Sequence, residues 1–217
     1  MEFIMSALDV VLHLERYLDA WALAYGVWMY AILFLIIFAE TGLVVTPFLP
    51  GDSLLFAVGA ICARGVLSLP IILIGLSIAA IIGDTLNYWV GRYFGDFVTR
   101  RFSRIVKPEH IEKTHTFYEK YGAKTIVLAR FVPIIRTLAP FVAGIGQMHY
   151  RQFAFYNIMG GILWIFSMTI AGYLFGNLDF IRNNFSLVVV GIVFISILPM
   201  LIGYIRHFLI KKNKENA

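Results

Sequence analysis

A single cysteine, Cys62, occurs in 217 residues, which excludes a disulfide framework and any cysteine-rich metal site. Five histidines (His13, His110, His115, His149, His207) are scattered, and none forms an HExxH pair. Charged residues make up only 14% of the chain. The amino terminus lacks a basic region followed by a short apolar core and a cleavage site, so no cleaved signal peptide is expected. What remains is apolar: 60% of residues are hydrophobic and mean hydropathy is +0.81, outside the range of soluble domains. The composition points to an all-α polytopic membrane protein, read as one membrane domain over residues 1–217. A net charge of +5 would suit nucleic acid, but most of the basic residues flank apolar spans. The positive-inside bias accounts for them without a nucleic-acid partner.

The chain divides by hydrophobic pattern. Glu2, Ser6, Asp9, His13 and Arg16 fall on one stripe opposite Phe3, Ile4, Leu8, Val11 and Leu12, which suits an interfacial helix over 1–20. Residues 27–42 form an apolar span ending at Glu40-Thr41-Gly42. Over 43–64, Pro47, Pro50 and Gly51 break the helix, and Asp52 or Ser53 can cap a new one. Each arm is too short for a hydrocarbon core of about 30 Å, so a re-entrant hairpin is expected. The span 69–90 carries Asp84, Asn87, Tyr88 and Gly91 as a stripe directed into the bundle. Residues 92–124 hold eight Lys/Arg against four Asp/Glu and read as a charged loop, with a short amphipathic helix from Pro108 to Tyr121. A second re-entrant hairpin is expected over 125–147, then spans at 151–175 and 186–207 and a basic tail at 208–217.

The most informative stretch is Arg130-Phe-Val-Pro-Ile-Ile-Arg136-Thr137. On one uninterrupted helix the two arginines would lie about 240° apart. Pro133 between them breaks such a helix, so both guanidinium groups can be aimed at one point. Charged side chains at membrane depth usually face the protein interior or a cavity and are often functional.

The two broken segments resemble one another. Phe48-Leu-Pro-Gly-Asp-Ser-Leu-Leu-Phe-Ala-Val-Gly59 can be laid over Phe131 to Gly144 with small gaps. Each copy is followed by a span ending in a GxxxG motif, Gly91-Arg-Tyr-Phe-Gly95 and Gly172-Tyr-Leu-Phe-Gly176. Two hairpins entering from opposite sides would form an inverted repeat, with a site near the midplane where the copies meet. Asp52 lies in the first hairpin and Glu40 before it; Arg130 and Arg136 lie in the second. These charges either neutralise one another or form a switch in which arginines take an anion and carboxylates take protons.

Glu40-Thr-Gly, Phe48-Leu-Pro-Gly-Asp-Ser-Leu-Leu, Gly83-Asp, Gly91-Arg-xx-Gly95 and Arg130-Phe-xPro-xx-Arg136-Thr together closely resemble the bacterial DedA family, over about residues 20 to 207. The resemblance implies two facing re-entrant hairpins and membership of the superfamily that includes eukaryotic lipid scramblases. It further implies return of undecaprenyl phosphate to the cytoplasmic leaflet of the bacterial inner membrane, linked to the proton motive force. Glu40, Asp52, Arg130 and Arg136 match the family's functionally important positions. On this reading Arg130, Arg136 and Thr137 bind substrate, Glu40 and Asp52 couple protons, and Asp84 and Arg92 support them. The partners are a lipid phosphate, membrane lipids and protons, with room for a homo-oligomer; no cofactor or metal is implied.

Arginine suits such a substrate because it stays protonated and offers a fixed donor fork to phosphate oxygens. Four other readings stay open. A proton-coupled exporter of cations would use Glu40, Asp52 and Asp84 as its binding charges, and a phospholipid scramblase would use the same hairpins. A lipid phosphatase would need an activated nucleophile such as histidine, and the segments around Arg130 and Arg136 contain none. A structural assembly factor would tolerate neutral pair swaps at Arg136.

Charge sets the topology: the 92–124 loop and the tail from Arg206 onward, with four Lys/Arg against one Glu, belong in the cytoplasm. Both termini are then cytoplasmic, with 61–68 and 177–184 outside. With Cys62 removed, cysteines placed at Ser68 or Asn183 should react with an impermeant thiol reagent from outside, and one at Ser103 should not. Outside labelling at Ser103 would overturn the assignment.

Overall fold

The computed structural model describes residues 24–43, 51–101 and 124–176, together with Trp21, Gly122 and isolated positions between 178 and 192. Among the described residues every regular element is a helix: α1 (Trp28–Gly42), α2 (Gly51–Ala63), α3 (Leu69–Arg101), α4 (Lys124–Ala129), α5 (Pro133–Ile145) and α6 (Tyr150–Phe175).

Among the described residues two helices have the length and composition to cross a bilayer, the 26-residue stretch Leu69–Phe94 within α3 and the 26 residues of α6. Each is about 39 Å long at 1.5 Å per residue, against a hydrocarbon core of about 30 Å. Their surfaces point the same way. On α3, Ile71, Ile74, Ile78, Ile82 and Leu86 form an exposed stripe at helical spacing, and Phe155, Ile158, Met159, Ile162 and Phe166 are exposed on α6. The buried sides of the same helices hold Asp84, Asn87, Asn157 and Thr169. A continuous apolar exterior over a polar interior is unfavourable in water and favourable in lipid. The chain is therefore a helical membrane protein.

Two boundaries differ from the sequence expectation. Helix α3 does not stop at residue 90 but runs to Arg101, through the first ten residues of the expected 92–124 loop. That stretch has no proline, and charge density by itself does not end a helix; it marks only where the helix becomes solvated. Helix α1 has 15 residues, about 22 Å, so it is shorter by itself than a hydrocarbon core. The expected interfacial helix at 1–20, the Pro108–Tyr121 helix and the basic tail lie outside the described residues, as does most of 186–207. Within that last span, 187, 188 and 190–192 are helical.

The break around Pro133 has the local form its sequence dictates. Helix α4 ends in a tight i→i+3 turn, with the Arg130, Phe131 and Val132 amides donating to the carbonyls of Val127, Leu128 and Ala129. Val132 precedes a proline and is extended, at φ −121° and ψ 107°. Pro133 then opens α5 at a position where its missing N–H costs nothing. Arg136 falls in the first turns of the new helix, and the chain has changed direction between it and Arg130.

The helices pack in a crossed pattern: α2 lies along α6, α5 along α3, and α1 along α3. Tyr30 accepts a bond from the Ser68 amide at 2.8 Å, and Gly42 at the far end meets Gly83, so α1 and α3 run parallel. This corrects the charge-based topology: α1 starts level with Ser68, on the side expected to be outside, and not on the cytoplasmic side expected for the amino terminus. Association within lipid relies on close approach rather than on the hydrophobic effect, and here glycines supply it. A Cβ on Gly172 would collide with the carbonyl of Phe56, and one on Gly59 with the carbonyl of Thr169. The second pair of helices repeats this. A Cβ on Gly91 would collide with the carbonyl of Phe141, and one on Gly144 with the carbonyl of Tyr88. The short-helix residues of the two sets are 85 positions apart and the long-helix residues 81.

Because these obstacles are backbone atoms, they cannot move aside. Alanine at Gly59, Gly91, Gly144 or Gly172 should each destabilise the fold by about 1–3 kcal/mol. Gly75 has nothing within 4 Å of a built Cβ, so Gly75→Ala should be neutral or mildly stabilising. Thermal unfolding in detergent separates the two groups; equal effects at Gly75 and Gly172 would remove the case for backbone contact.

Candidate functional site: a buried arginine–carboxylate cluster

Five charged side chains are buried among the described residues: Glu40, Asp52, Asp84, Arg130 and Arg136. They fall into two groups. Arg136, 3% exposed, donates from Nη1 to Asp52 Oδ1 at 2.9 Å and from Nη2 to Glu40 Oε1. Each terminal nitrogen of the fork therefore holds a different carboxylate, one from the end of α1 and one from the start of α2.

Direction brings these residues together. Asp52 meets Trp164 and Ala60 meets Gly176, so α2 runs parallel to α6. Thr137 meets Asn87 and Phe141 meets Gly91, so α5 runs parallel to α3. Asn157 bonds Ile81 and Thr85 while Gly161 lies on Ile81, so α3 and α6 run in opposite directions. Helices α2 and α5 are consequently opposed, and they meet amino end to amino end at Asp52 and Arg136. Helix amino termini carry partial positive charge and free amides, which favour an anion. The Glu40 carboxylate lies against the backbone of Gly51, the first residue of α2, where a Cβ would run into both its oxygens.

Asn87 fixes the end of α1 and the start of α5 to α3. Its Nδ2 donates to the carbonyl of Thr41 at 3.2 Å and to that of Thr137 at 2.8 Å, the residues following Glu40 and Arg136. One side chain thus spaces the acid and the base. Trp164 closes the other side: its indole N–H donates to Asp52 Oδ1 at 2.8 Å, and the Arg136 Cζ lies 4.3 Å from its ring centroid.

Arg130 forms the second group. Its Nη2 donates to Asp84 Oδ2 and Asn157 Oδ1, and Asn157 Nδ2 donates to the Ile81 carbonyl at 3.0 Å. The side chain lies along Gly160 and Gly161, where a Cβ would stand 3.0 Å from Arg130 Cδ and 3.4 Å from Nη2. Arg130 Nε and Nη1, Arg136 Nε, Glu40 Oε2 and Asp84 Oδ1 have no hydrogen-bond partner among the described residues. Both guanidinium groups thus retain buried donors available to an acceptor.

The expected site residues are therefore divided. Glu40, Asp52, Arg136 and Thr137 come together, whereas Arg130 pairs with Asp84 in an adjoining cluster. Arg92 joins neither cluster: it is exposed, donating to Tyr88 Oη at 2.8 Å and lying 5.9 Å from the Trp89 ring. A GRxxG arginine near the end of a span follows the helix outward toward the interface rather than inward. Trp164, Asn157 and the spacing role of Asn87 were not apparent from sequence. A lone amide followed by Gly160-Gly161 within a span is a usable signal for Asn157; Trp164 carries no charge and offers none.

Asp84→Ala should destabilise the fold by about 3–5 kcal/mol, because it strands the buried Arg130 charge. Asp84→Ala/Arg130→Met should recover most of that loss in detergent melting. Absence of recovery would show that Arg130 has another essential partner.

The VTT domain family matches residues 49–174. The chain is 51% identical to Protein DedA of Escherichia coli K12 over 95% of this chain and 96% of that protein. It is 39% identical to the uncharacterized membrane protein Rv0364 of Mycobacterium tuberculosis H37Rv over 91% and 89% of the two chains. It is also 36% identical to the inner membrane protein YqjA of Escherichia coli K12 over 68% of each. No solved structure matches the chain. The family domain encloses Asp52, Asp84, Arg130, Arg136 and Trp164, and the chain belongs to the DedA family.

Proposed function

We propose that the protein is a lipid-phosphate transporter of the bacterial cytoplasmic membrane, multi-pass, returning undecaprenyl phosphate to the inner leaflet and coupled to protons. The observation that carries this reading is the fork of Arg136. It is buried, faced by two helix amino termini, and filled by the protein's own carboxylates. Glu40 and Asp52 hold the place of a substrate anion, because an empty anion site of that polarity at membrane depth would be costly. Protonating them releases the fork for a phosphate, and their deprotonation expels it. Proton binding and phosphate binding thus favour one another, and each headgroup transfer is coupled to protons.

The crossed glycine contacts support a further part of the reading, an inverted repeat of two re-entrant hairpins. The carbonyl of Phe56 faces Gly172 as that of Phe141 faces Gly91, and the carbonyl of Thr169 faces Gly59 as that of Tyr88 faces Gly144. The isoprenoid identity of the lipid comes from the family resemblance. A cation exporter fits less well, since Glu40, Asp52 and Asp84 are each already paired with an arginine.

Arg136→Lys keeps the charge and loses the planar fork. It should insert and fold but lose at least tenfold of lipid-phosphate flux in liposomes, about 1.4 kcal/mol or more in the rate-limiting step. Wild-type flux in the lysine variant, or in Arg136→Ala/Asp52→Ala, would sink the phosphate clamp and leave only an ion-pair brace. Glu40→Gln and Asp52→Asn leave a fixed neutral group on the fork. Both should bind lipid phosphate with little pH dependence and transport it slowly; unchanged pH profiles in both would remove the proton from the mechanism.

A further inference from the structure

We propose that Trp164 sets the headgroup selectivity of the Arg136 fork, holding the guanidinium plane and Asp52 so that a terminal phosphate monoester is preferred over a diester. This rests on the reading of Arg136 as the lipid-phosphate site.

Trp164 stands in the middle of α6 and is fully buried. Its ring lies under the guanidinium group, with 4.3 Å between Arg136 Cζ and the ring centroid. Its N–H donates to Asp52 Oδ1 at 2.8 Å, the oxygen that also accepts Arg136 Nη1 at 2.9 Å. One side chain therefore fixes both partners of the ion pair, through its face and through its edge. The cation–π contact does not depend on which anion fills the fork, so it holds Arg136 in place while acids and phosphate exchange.

A covered face changes what the fork accepts. An anion must approach within the guanidinium plane, where Nη1, Nη2 and the unpartnered Nε lie. A monoester phosphate offers three non-ester oxygens for those donors, with its single substituent directed away. A diester offers two, and its second substituent has to be placed near the indole wall. The acidic side chains that face the ring and the fork are Glu40 from α1 and Asp52 from α2; Asp84 of α3 belongs to the adjoining Arg130 cluster.

The test uses the full chain in detergent with Trp21, Trp28 and Trp89 replaced by phenylalanine, leaving Trp164 as the sole tryptophan. Its emission should change on acidification and on titration with farnesyl phosphate, and much less with phosphatidylglycerol, a diester. Trp164→Phe keeps a ring and loses the donor to Asp52. It should keep the monoester preference and move the pH profile of farnesyl phosphate binding upward by about one unit. Trp164→Leu should lose about tenfold of that preference. Emission that answers acidification but not farnesyl phosphate would overturn the phosphate reading and the selectivity with it. Farnesyl phosphate binding with unchanged preference in the leucine variant, or an unmoved pH profile in the phenylalanine variant, would overturn the role of Trp164 alone.

Discussion

A guanidinium group at membrane depth requires counter-charge within reach, and the described fold is arranged around meeting that requirement for Arg136. The acids come from two places in the chain, Glu40 at the end of α1 and Asp52 at the start of α2. Both helices must therefore stop or start at the level of Arg136. The chain breaks there, after Gly42 and around Pro133, because continuous spanning helices would carry the three residues past one another. Asn87 holds the two broken ends at a set spacing through the carbonyls that follow Glu40 and Arg136. The glycine contacts let backbones approach closely enough for side chains of ordinary length to meet.

Arg130 satisfies the same electrostatic requirement in a different way. Its pair crosses from the α4 turn to α3, and its amide partner Asn157 is bonded to α3 in turn. Its chain is laid on Gly160 and Gly161, which leaves little room to swing. Arg136, in contrast, presents two separate carboxylates at the junction of helix ends, the part of a broken helix most able to move. On the proposed reading, Arg130 braces α3 against α6 and Arg136 is the group that exchanges its partners. Sequence spacing treats the two arginines alike; only the partners distinguish them.

Much of this was legible beforehand. Pro133 is a local steric fact, so the break between α4 and α5 followed from it directly; Pro47 and Pro50 lie outside the described residues. Asp84, Asn87, Tyr88 and Gly91 share a helix face, and that face is buried as expected. Pairing was not legible, because which acid meets which arginine depends on helix direction and rotation, to which composition is blind. The expected end of the third helix was wrong for a related reason: a rise in charge reports where solvent begins, and a helix such as α3 continues into it. Trp164 was invisible because an aromatic residue in an apolar span looks like every other until its N–H finds a carboxylate.

The charge count of the buried cluster then constrains mechanism. Three carboxylates share the interior with two guanidinium groups, so with every group ionised one negative charge is left over among the described residues. A net charge held in a low-dielectric interior is costly, and binding one proton removes it. On the proposed reading the resting cluster is neutral with a proton aboard, and an arriving phosphate reintroduces the excess. Restoring neutrality takes further protons on the displaced acids, one for a monoanion and two for a dianion. In that reading electroneutrality couples protons to the headgroup, and the coupling requires the carboxylates to stay close to Arg136 whether or not they are bound to it. The short tether from Glu40 to Gly42, packed on Gly83, and the indole bond to Asp52 keep them there.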